Sequence, residues 1–377
     1  MRLAAPWLES ESAQAVARML EEAGHQAWFV GGCVRNSMLG APVSDLDIST
    51  DARPERVIAL AEAAGFRAVP TGIDHGTITV VHDHTPFEIT TFRKDVETDG
   101  RRAVVAFADT LEEDAQRRDF TMNALYSDLR GEISDPVGGL PDLEARHFRF
   151  IGDPHERIRE DYLRILRFFR FFAWYGSDLD PDGLAACAEL ADGIPRLSAE
   201  RVTSEMVKLL SAPEPARAAA AMEHAGVLAH ALPGASTKAL GPFVHLDPSG
   251  EIDPMARLAA LGGEVGSLRL SRAQARNFET LRAAMEGTAS AGELGYRLGE
   301  KPALRALALR ASVLEQPLMK AETNAAKNGA RAAFPLQAAD LPAPLKGKEV
   351  GDALKRLEES WIASGFELTK AELLAEL

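Results

Sequence analysis

Two aspartates separated by one residue are the first feature of the sequence that suggests chemistry. Asp45 and Asp47 flank Leu46 at the start of a short apolar run, Leu46–Ser49, that we predict to be a strand. On a strand, residues i and i+2 lie on one face, so both carboxylates would point the same way. Two adjacent like charges call for a cation, and magnesium takes oxygen ligands of this kind and often bridges substrate phosphates. An exposed Ser-Asp-Leu-Asp turn is the alternative, and it is the better one for these residues alone.

A glycine pair upstream of the aspartates predicts a phosphate-binding turn. Gly31-Gly32 follows an apolar strand candidate, Gln26–Val30, and opens a helix that carries Arg35 and ends at Gly40. Bare amides at a helix N-terminus bind phosphate, and Arg35 can add a charge-assisted contact. A dinucleotide-binding turn is a weak alternative because the full G-x-G-x-x-G spacing is missing, and a simple tight turn stays open. A phosphate cradle followed at once by two carboxylates indicates a nucleoside triphosphate with a metal.

A second set of charged residues has the spacing needed to recognise a base. We predict one helix over Arg157–Trp174, on which Asp161 and Arg164 are i,i+3 neighbours on one face. Such a pair is either a surface ion pair of little energetic worth or a reader of bases, since Arg donates hydrogen bonds and Asp accepts them. Cytosine and adenine both present an amino donor beside a ring-nitrogen acceptor, whereas uracil and guanine present the reverse order. Arg167 and Arg170 continue at three-residue steps, within reach of phosphates.

Two further groups of residues have two interpretations each. Arg118 can hold a phosphate, and Asp119 or Asn123 can bond a ribose hydroxyl, but a helix start with Asp119 as N-cap explains the spacing better. Glu88, on a predicted strand Phe87–Phe92, is equally a third carboxylate near the metals or an edge-strand charge.

The elements that would position these residues form an α/β head on a helical body. Thr77–Val81 and Phe87–Phe92 alternate like paired strands, and Pro54 can open a helix. Arg93–Ala108 is polar and charged without a period, so we predict a long, mobile loop of functional importance. Beyond about Pro141 strand signals fade, apart from His147–Ile151, and the chain is rich in Ala, Leu and Glu with breaks at Pro and Gly, which indicates helices.

Composition limits the class of protein. The chain has 377 residues, of which 46% are hydrophobic and 26% charged, and its length suggests two or three domains. No apolar run approaches the roughly 18 residues that span a membrane, and the N-terminal stretch has acids where a signal peptide would be apolar. Cys33 and Cys187 fit no metal or disulfide spacing, which favours the reducing cytoplasm. The net charge of −14 taken alone argues against a nucleic-acid partner, but arginines clustered between residues 149 and 170 offer a local basic patch.

These segments, in this order, resemble the class II tRNA nucleotidyltransferase and bacterial poly(A) polymerase family. GGCVRN…SDLDIST resembles motif A of the family, RRDFTMNAL its motif B, and DPHERIREDYLRILRFFRF its nucleotide-templating region. LSAERVTSEMVKLL is similar to the helix that follows, and DLPAPLKGKEVGDALKRLEESWIASGF is more loosely similar to the family tail. Each motif is modest alone, and together they are highly specific.

The resemblance implies a fold and an activity. The expected fold is a polymerase-β-like α/β nucleotidyltransferase head over residues 1–140, followed by an all-helical neck (141–211), body (212–270) and tRNA-binding tail (271–377). The expected activity is addition of C, C and A from CTP and ATP to the 3′ end of tRNA with Mg²⁺, and TGIDHGTITVV looks like the tRNA-repair branch of the family. The alternatives are a poly(A) polymerase or A-only-adding enzyme of this family and, in another class, a catalytically silent RNA-binding scaffold.

The resemblance also implies roles for individual residues. Asp45 and Asp47 would bind magnesium and act in catalysis. The residues that would hold or recognise the nucleotide are Gly32, Arg35, Arg118, Asp161, Arg164, Arg167 and Arg170. One departure concerns Asn36, where the family usually has Asp; Asn keeps the hydrogen bonding and loses a charge.

Overall fold

The computed structural model describes residues 1–98, 103–342 and 345–377. The chain divides into two compact units. The first comprises Met1–Leu209 and Ala221–Ala231, and the second comprises Leu210–Ala220 and Leu232–Leu377. The predicted division into head, neck, body and tail is finer than these two units and stays a prediction.

The strands of the described residues belong to the first unit. In chain order they are β1 (Trp28–Val30), β2 (Leu46–Thr50), β3 (Arg67–Gly72), β4 (Thr77–His82), β5 (Thr85–Thr91), β6 (Arg93–Thr98), β7 (Ala103–Phe107), β8 (Tyr126–Ser127), β9 (Ile133–Ser134), β10 (His147–Phe148) and β11 (Asp178–Leu179). One mixed sheet has the strand order β3-β4-β5-β2-β1-β8-β9. The strands β2 and β5 are neighbours near the centre of this sheet and run parallel. The strands β4 and β5 are also neighbours and run antiparallel.

Helices make up most of the rest of the chain. In chain order they are α1 (Glu11–Glu22), α2 (Gly32–Leu39), α3 (Pro54–Ala63), α4 (Leu111–Gln116), α5 (Leu140–Ala145), α6 (Pro154–Glu160), α7 (Leu163–Tyr175), α8 (Pro181–Glu189), α9 (Ala199–Leu210), α10 (Pro215–His224), α11 (Val227–Ala231), α12 (Leu240–Leu246), α13 (Pro254–Leu261), α14 (Arg272–Glu286), α15 (Ala291–Leu298), α16 (Glu300–Val313), α17 (Lys320–Arg331), α18 (Lys348–Ala363) and α19 (Lys370–Leu374). In the described part of the chain, none of them is long and apolar enough to cross a membrane.

The predicted fold class, an α/β head followed by helices, is confirmed. One detail differs, because β10 and β11 form a short parallel pair inside the stretch predicted to be an all-helical neck. The sequence signal for β3 was weak because Arg67–Gly72 is an edge strand with half-buried and exposed residues in no regular alternation. Strands with one buried face, such as β2 and β5, were found because they alternate or run apolar.

The loop predicted over Arg93–Ala108 is wrong for the described part of that segment. β6 and β7 pair antiparallel there, with Arg93 opposite Phe107 and Lys94 opposite Ala106. At the base of this hairpin the Ala108 amide donates to the Phe92 carbonyl at 2.8 Å. The prediction of a loop overlooked the apolar run Ala103–Phe107, which forms β7 and pairs with the charged strand β6 through backbone hydrogen bonds. Residues 99–102 of the predicted loop lie outside the described residues.

The single helix predicted over Arg157–Trp174 is also wrong, because the chain breaks between α6 and α7. Asp161 is extended there (φ −157°, ψ 105°), and its Oδ1 accepts a hydrogen bond from the Leu163 amide at 3.1 Å. The ring of Tyr162 lies so close to Gly193 that a Cβ at that glycine would be 1.9 Å from it. The residue at the break thus packs against a distant glycine, a contact that hydrophobic periodicity cannot reveal.

Candidate active site

A cavity of about 410 Å³ opens on one face of the sheet in the first unit. Side chains from the sheet form one wall, which we call the sheet wall: Asp47, Ser49, Thr77, Glu88 and Thr90. Charged side chains from the segments around α4, α6, α7 and α9 form the other, the basic wall: Arg117, Arg118, Asp119, Asp161, Arg164, Arg167 and Arg201. Most of the residues that the sequence nominated therefore meet in one place.

Two carboxylates face each other on the sheet wall. Asp47 on β2 lies directly opposite Glu88 on β5 in the parallel register, so both side chains share the open face of the sheet. Burial, followed by the negative charge of Glu88, raises the pKa of Asp47 to about 6, while Arg118 opposes the rise. Glu88, for which the sequence left two interpretations, is thus a neighbour of Asp47. The strand register, which no single sequence shows, supplies that contact.

Asp45 lies one residue before β2 rather than on it, which corrects the prediction that the strand carries both aspartates. Its side chain is exposed and accepts a hydrogen bond from Ser44 Oγ at 2.8 Å. Its charge still acts on Asp47, whose pKa it helps to raise. The two carboxylates are therefore electrostatic neighbours, although Asp45 stands outside the residues that line the cavity.

The donor set of the sheet wall fits a divalent cation. In the described ranges, no group of three or more His, Cys, Asp or Glu side chains is arranged to hold a metal by itself. Magnesium, however, is usually held by one or two carboxylates plus substrate phosphates, so two neighbouring aspartates suffice. Burial is the main cause of the raised pKa of Asp47, and the charges of Glu88 and Asp45 add to it, so a cation at Asp45 and Asp47 would neutralise part of this unfavourable charge.

Arg118 stands at the junction of the two walls and is held by a buried carboxylate. Asp114 on α4 is fully buried and forms ion pairs with Arg117 at 2.8 Å and Arg118 at 2.9 Å. The Tyr126 hydroxyl also donates to Asp114, at 2.9 Å, and Arg118 Nη2 donates to Ser49 Oγ at 3.1 Å. Burial opposes ionisation, but the charges of Arg118 and Arg117 outweigh it and hold the pKa of Asp114 well below its usual range.

The sequence analysis did not identify Asp114 as a partner of the two arginines, although its spacing from them is a signal for such a contact. An acid placed three and four residues before two arginines on a helical segment can bind both of them. The buried position of its carboxylate was not visible, because LEEDAQRR looks like a solvated charged run.

The turn between β1 and α2 has the geometry of an anion cradle. Gly31 is the N-cap of α2 and has a φ of 69°, which glycine adopts without strain. A Cβ on Gly31 would lie 3.7 Å from Arg118 Nη1, so the guanidinium of Arg118 stands beside the helix N-terminus. The bare amides that begin at Gly32 and the cation of Arg118 together suit a phosphate group.

The base-recognition pair has a geometry different from the predicted one. Asp161 and Arg164 are not i,i+3 neighbours on one helix, since the break between α6 and α7 separates them. The Asp161 carboxylate accepts from Arg201 Nη2 at 2.6 Å, whereas Arg164 pairs with Glu160 and donates to the Arg117 carbonyl at 3.2 Å. Both side chains still line the same cavity.

Arg167, another cation of the basic wall, is held by the buried carboxylate of Asp119. Its Nε donates to Asp119 Oδ2 at 2.7 Å, and Asp119 also accepts from Asn123 Nδ2 at 2.8 Å. Burial raises the pKa of Asp119, but the charge of Arg167 and the hydrogen bond from Asn123 outweigh burial and hold this pKa well below its usual range. The N-cap interpretation of Asp119 is therefore wrong: the cap of the short 3₁₀ turn Thr121–Asn123 is Phe120.

Arg35 and Arg170 lie outside the residues that line the cavity. Arg35 is only 6% exposed, donates to Asn36 Oδ1 at 2.8 Å and lies over the ring of Phe171 at 4.8 Å. Arg170 Nε donates to Glu205 Oε2 at 2.5 Å. The expected contact of Arg35 with a phosphate is thus corrected to an interior position, because its place on α2 turns it toward the aromatic face of α7.

Asn36 uses both ends of its side-chain amide. Its Oδ1 accepts from Arg35, and its Nδ2 donates to the Pro42 carbonyl at 2.8 Å. Aspartate could make the first contact and not the second, since a carboxylate has no N–H. The residue that departs from the family pattern therefore ties Arg35 to the turn after α2.

The comparisons with known proteins agree with this site. A family model described as the poly A polymerase head domain matches residues 27–149, and one described as a probable RNA and SrmB-binding site of polymerase A matches residues 177–238. The CCA-adding enzyme of Geobacillus kaustophilus is 41% identical over 230 residues, which are 60% of this chain and 56% of that enzyme. Over these matched stretches the chain is similar to members of the class II tRNA nucleotidyltransferase and bacterial poly(A) polymerase family. The CCA-adding enzyme of Streptococcus gordonii is 43% identical over 215 residues, or 56% of this chain and 53% of that enzyme.

The matched stretches thus span little more than half the length of these curated family members. A solved structure, the CCA-adding enzyme of Bacillus stearothermophilus in complex with CTP, superposes over 97% of this chain and 96% of that one, with a TM-score of 0.75 and 29% identity. The Thermotoga maritima CCA-adding enzyme complexed with tRNA_CCA gives a TM-score of 0.73 over 99% of this chain and 95% of that one. At 17% identity it shows the fold alone.

Proposed function

We propose that this protein adds C, C and A, taken from CTP and ATP, to the 3′ end of tRNA. The observation that carries the proposal is the arrangement of the cavity. Asp47 and Glu88 crowd negative charge on the sheet wall, beside the cation of Arg118 at a glycine-opened helix N-terminus. Crowded carboxylates next to an anion cradle are what transfer from a nucleoside triphosphate requires.

The chemistry is attack by an RNA 3′-hydroxyl on the α-phosphate, with pyrophosphate leaving. Asp45 and Asp47 are the residues that would hold Mg²⁺, which lowers the pKa of the attacking hydroxyl and neutralises charge at the phosphate when bound. The Gly32 amide and Arg118 would hold the phosphates, and Asp114 fixes the direction of Arg118. Positioning and electrostatics supply most of the catalysis in such reactions.

Base choice is assigned to Asp161 and Arg164 on the basic wall. Arg201 and the Leu163 amide hold the Asp161 carboxylate, which retains further acceptor sites because a carboxylate has about four lone-pair positions. Arg164 likewise retains donors beyond those given to Glu160 and backbone carbonyls. An acceptor and a donor on one wall suit cytosine and adenine and disfavour uracil and guanine.

The remaining nominated arginines have supporting roles in this proposal. Arg167 lines the cavity beside Asp119 and would contact the nucleotide. Arg35 and Arg170 would position the wall from behind, because Arg35 joins α2 to Phe171 and Arg170 joins α7 to Glu205. The tRNA acceptor end would meet the chain through the predicted neck, body and tail (141–211, 212–270 and 271–377). A cytoplasmic location is part of the proposal and agrees with two buried, unpaired thiols.

A second candidate, a poly(A) polymerase or an A-only-adding enzyme, is favoured by one observation. The family model that covers the head is described as that of poly A polymerase. The curated CCA-adding relatives, at 41% and 43% identity, support the tRNA assignment instead.

Transfer assays with trimmed tRNAs test the proposal. Purified protein is incubated with tRNAs lacking one, two or three terminal nucleotides, each offered CTP, ATP, UTP or GTP singly with magnesium. We expect C on the tRNAs lacking two or three nucleotides and A on the tRNA lacking one. Addition of A alone to every acceptor would favour the second candidate. Binding of tRNA without any transfer would favour the catalytically silent scaffold.

A further inference from the structure

Two cross-strand pairs of threonine hydroxyls lie on the sheet, and one of them lines the cavity. Thr77 on β4 and Thr90 on β5 are direct neighbours, with their Oγ1 atoms 3.0 Å apart, and both are cavity residues. Ser49 on β2 lies opposite Thr90 in the parallel register. Three hydroxyls, which we call the hydroxyl row, therefore cross three neighbouring strands on the open face.

The strand order fixes where each end of the hydroxyl row lies. Ser49 accepts a hydrogen bond from Arg118, which stands beside Gly31 at the end of β1. Because β1 borders β2 on one side and β5 borders it on the other, Thr90 and Thr77 extend away from Arg118. With strands about 4.8 Å apart, Thr77 lies about 10 Å from the strand that carries Ser49.

The crowded carboxylates lie beside the middle of this row. Glu88 is two residues before Thr90 on the same face of β5, and Asp47 is its neighbour on β2. The cavity therefore has a cationic end at Arg118, near β1, and a hydroxyl end at Thr77 on β4. In the direction across the strands, the carboxylates on β2 and β5 lie between these two ends.

In-line phosphoryl transfer places the attacking and leaving oxygens on opposite sides of the phosphorus. If pyrophosphate leaves toward Arg118, the RNA 3′-hydroxyl must approach from the opposite side of the carboxylates. That side is the end of the cavity with Thr90 and Thr77, whose hydroxyls can form hydrogen bonds with an RNA end. A ribose presents hydroxyls that both donate and accept, and a threonine hydroxyl does the same.

We propose that Thr77 and Thr90 bind the 3′-terminal ribose of the RNA that is being extended, including its 2′-hydroxyl. The inference rests on the proposed function for the direction of attack. Arg93, at the same end of the cavity, brings a positive charge that suits the RNA backbone, and its Nη1 is fixed by the His75 carbonyl at 2.8 Å. The site would make the enzyme prefer an RNA end to a DNA end without any contact to the base.

Valine variants test this assignment because they remove a hydroxyl and keep the β-branched shape. Thr90→Val and Thr77→Val are compared with wild type in single addition of A to a tRNA lacking only A. We expect KM for the tRNA to rise by about two- to tenfold, the worth of one neutral hydrogen bond, with KM for ATP unchanged. With wild type, a tRNA ending in 2′-deoxyribose should have a KM that is higher by a similar factor than that of the ribose-ended tRNA. With the variants, this change of the tRNA end should raise KM little further.

The second threonine pair provides a matched control. Thr71 and Thr79 join β3 to β4 with their Oγ1 atoms 2.7 Å apart, outside the residues that line the cavity. Thr71→Val should leave KM for both substrates unchanged. The proposal is overturned if Thr90→Val and Thr77→Val leave KM for tRNA unchanged, if Thr71→Val raises it equally, or if the deoxy end costs the variants as much as wild type.

A binding measurement separates this inference from the proposed function. Fluorescence anisotropy without nucleotide compares labelled tRNA ends with a ribose or a 2′-deoxyribose terminus. Wild type should bind the ribose end more tightly, and Thr90→Val should remove the difference. If wild type binds both ends with equal affinity, the ribose site is overturned even when transfer is intact. If wild type prefers the ribose end but transfers no nucleotide, only the proposed function is overturned.

Discussion

The two walls of the cavity treat charge in opposite ways. On the sheet wall, Asp47 and Glu88 face each other, and in the described part of the chain neither carboxylate forms an ion pair. On the basic wall the cations are already paired, Arg118 with Asp114 and Arg167 with Asp119. The difference agrees with the proposal that the sheet wall receives a cation, whereas the ion pairs of the basic wall fix its arginines before any ligand binds.

Removing charge from the sheet wall should have the largest effect. Asp47→Asn keeps the shape of the side chain and removes the charge that would hold magnesium, so transfer should fall by a factor of about a thousand or more. The measurement is the rate of C addition to trimmed tRNA at saturating CTP, with circular dichroism to verify the fold. Near-normal magnesium-dependent transfer by the variant would exclude Asp47 from the reaction. Asp45→Asn should behave in the same way.

Removing charge from behind the basic wall should act on stability. Asp114→Asn leaves Arg117 and Arg118 without their buried partner, so the free energy of unfolding should fall by about 3–5 kcal/mol. Tyr126→Phe, which removes only one hydroxyl from the same network, should cost about 1 kcal/mol. Urea denaturation of both variants measures this. An equal effect of the two variants would show that the charge of Asp114 contributes nothing special.

The stabilisation by Asp114 should also depend on pH. Its pKa in the folded protein lies below the usual 3.8, so the contribution is fully present above that value and is lost as the pH falls through it. The difference in unfolding free energy between wild type and Asp114→Asn should therefore be constant from neutral pH to about pH 5 and shrink below pH 4. A difference that stays constant down to pH 3 would contradict the ion-pair assignment.

A smaller effect is expected where the basic wall meets the base. Arg164→Ala leaves the ring acceptor of C or A without a donor, at a cost of about 1–3 kcal/mol. Discrimination against UTP and GTP should weaken along with the overall rate. Values of kcat/KM for all four nucleotides measure it, with Arg159→Ala as a control from a neighbouring exposed arginine. Unchanged ratios for Arg164→Ala would remove this residue from base recognition.

The smallest effect concerns the segment Arg93–Ala108, whose first residue, Arg93, lines the cavity. One pocket that accepts two bases of different size needs an adjustable element, and this segment is the candidate. Shortening it should reduce addition of A more than addition of C, because the larger base requires the adjustment. Single-nucleotide assays on tRNAs lacking one or three nucleotides compare the two steps. Equal losses for A and C would assign the segment a purely structural role.

The two walls also differ in how much of them the sequence could predict. Period-two alternation placed the sheet wall, because Asp47 and Glu88 each stand between buried neighbours on their strands. The basic wall was predicted by residue type and only partly by geometry. At the break, Tyr162 packs against the distant Gly193, and the pairing of Asp161 with Arg201 joins residues 40 positions apart.

Buried polar networks were the other part beyond prediction. Asp114 lies in a run of charges that looks solvated, and Arg35 looks like a phosphate ligand until α2 turns it toward Phe171. In both cases the decisive quantity is burial of a charged side chain, which depends on tertiary packing and has no local signal. The family resemblance compensated for this where its motifs matched, and it gave no role to Asp114 or Glu88.

Sequencing of the products tests the central claim most directly. Wild-type protein is given a tRNA lacking all three terminal nucleotides, and separately a generic RNA, with CTP, ATP and magnesium together. The account predicts C, C and A in that order on the tRNA, followed by arrest, with little extension of the generic RNA. Long A tails on the generic RNA, with no C incorporated into the trimmed tRNA, would contradict it.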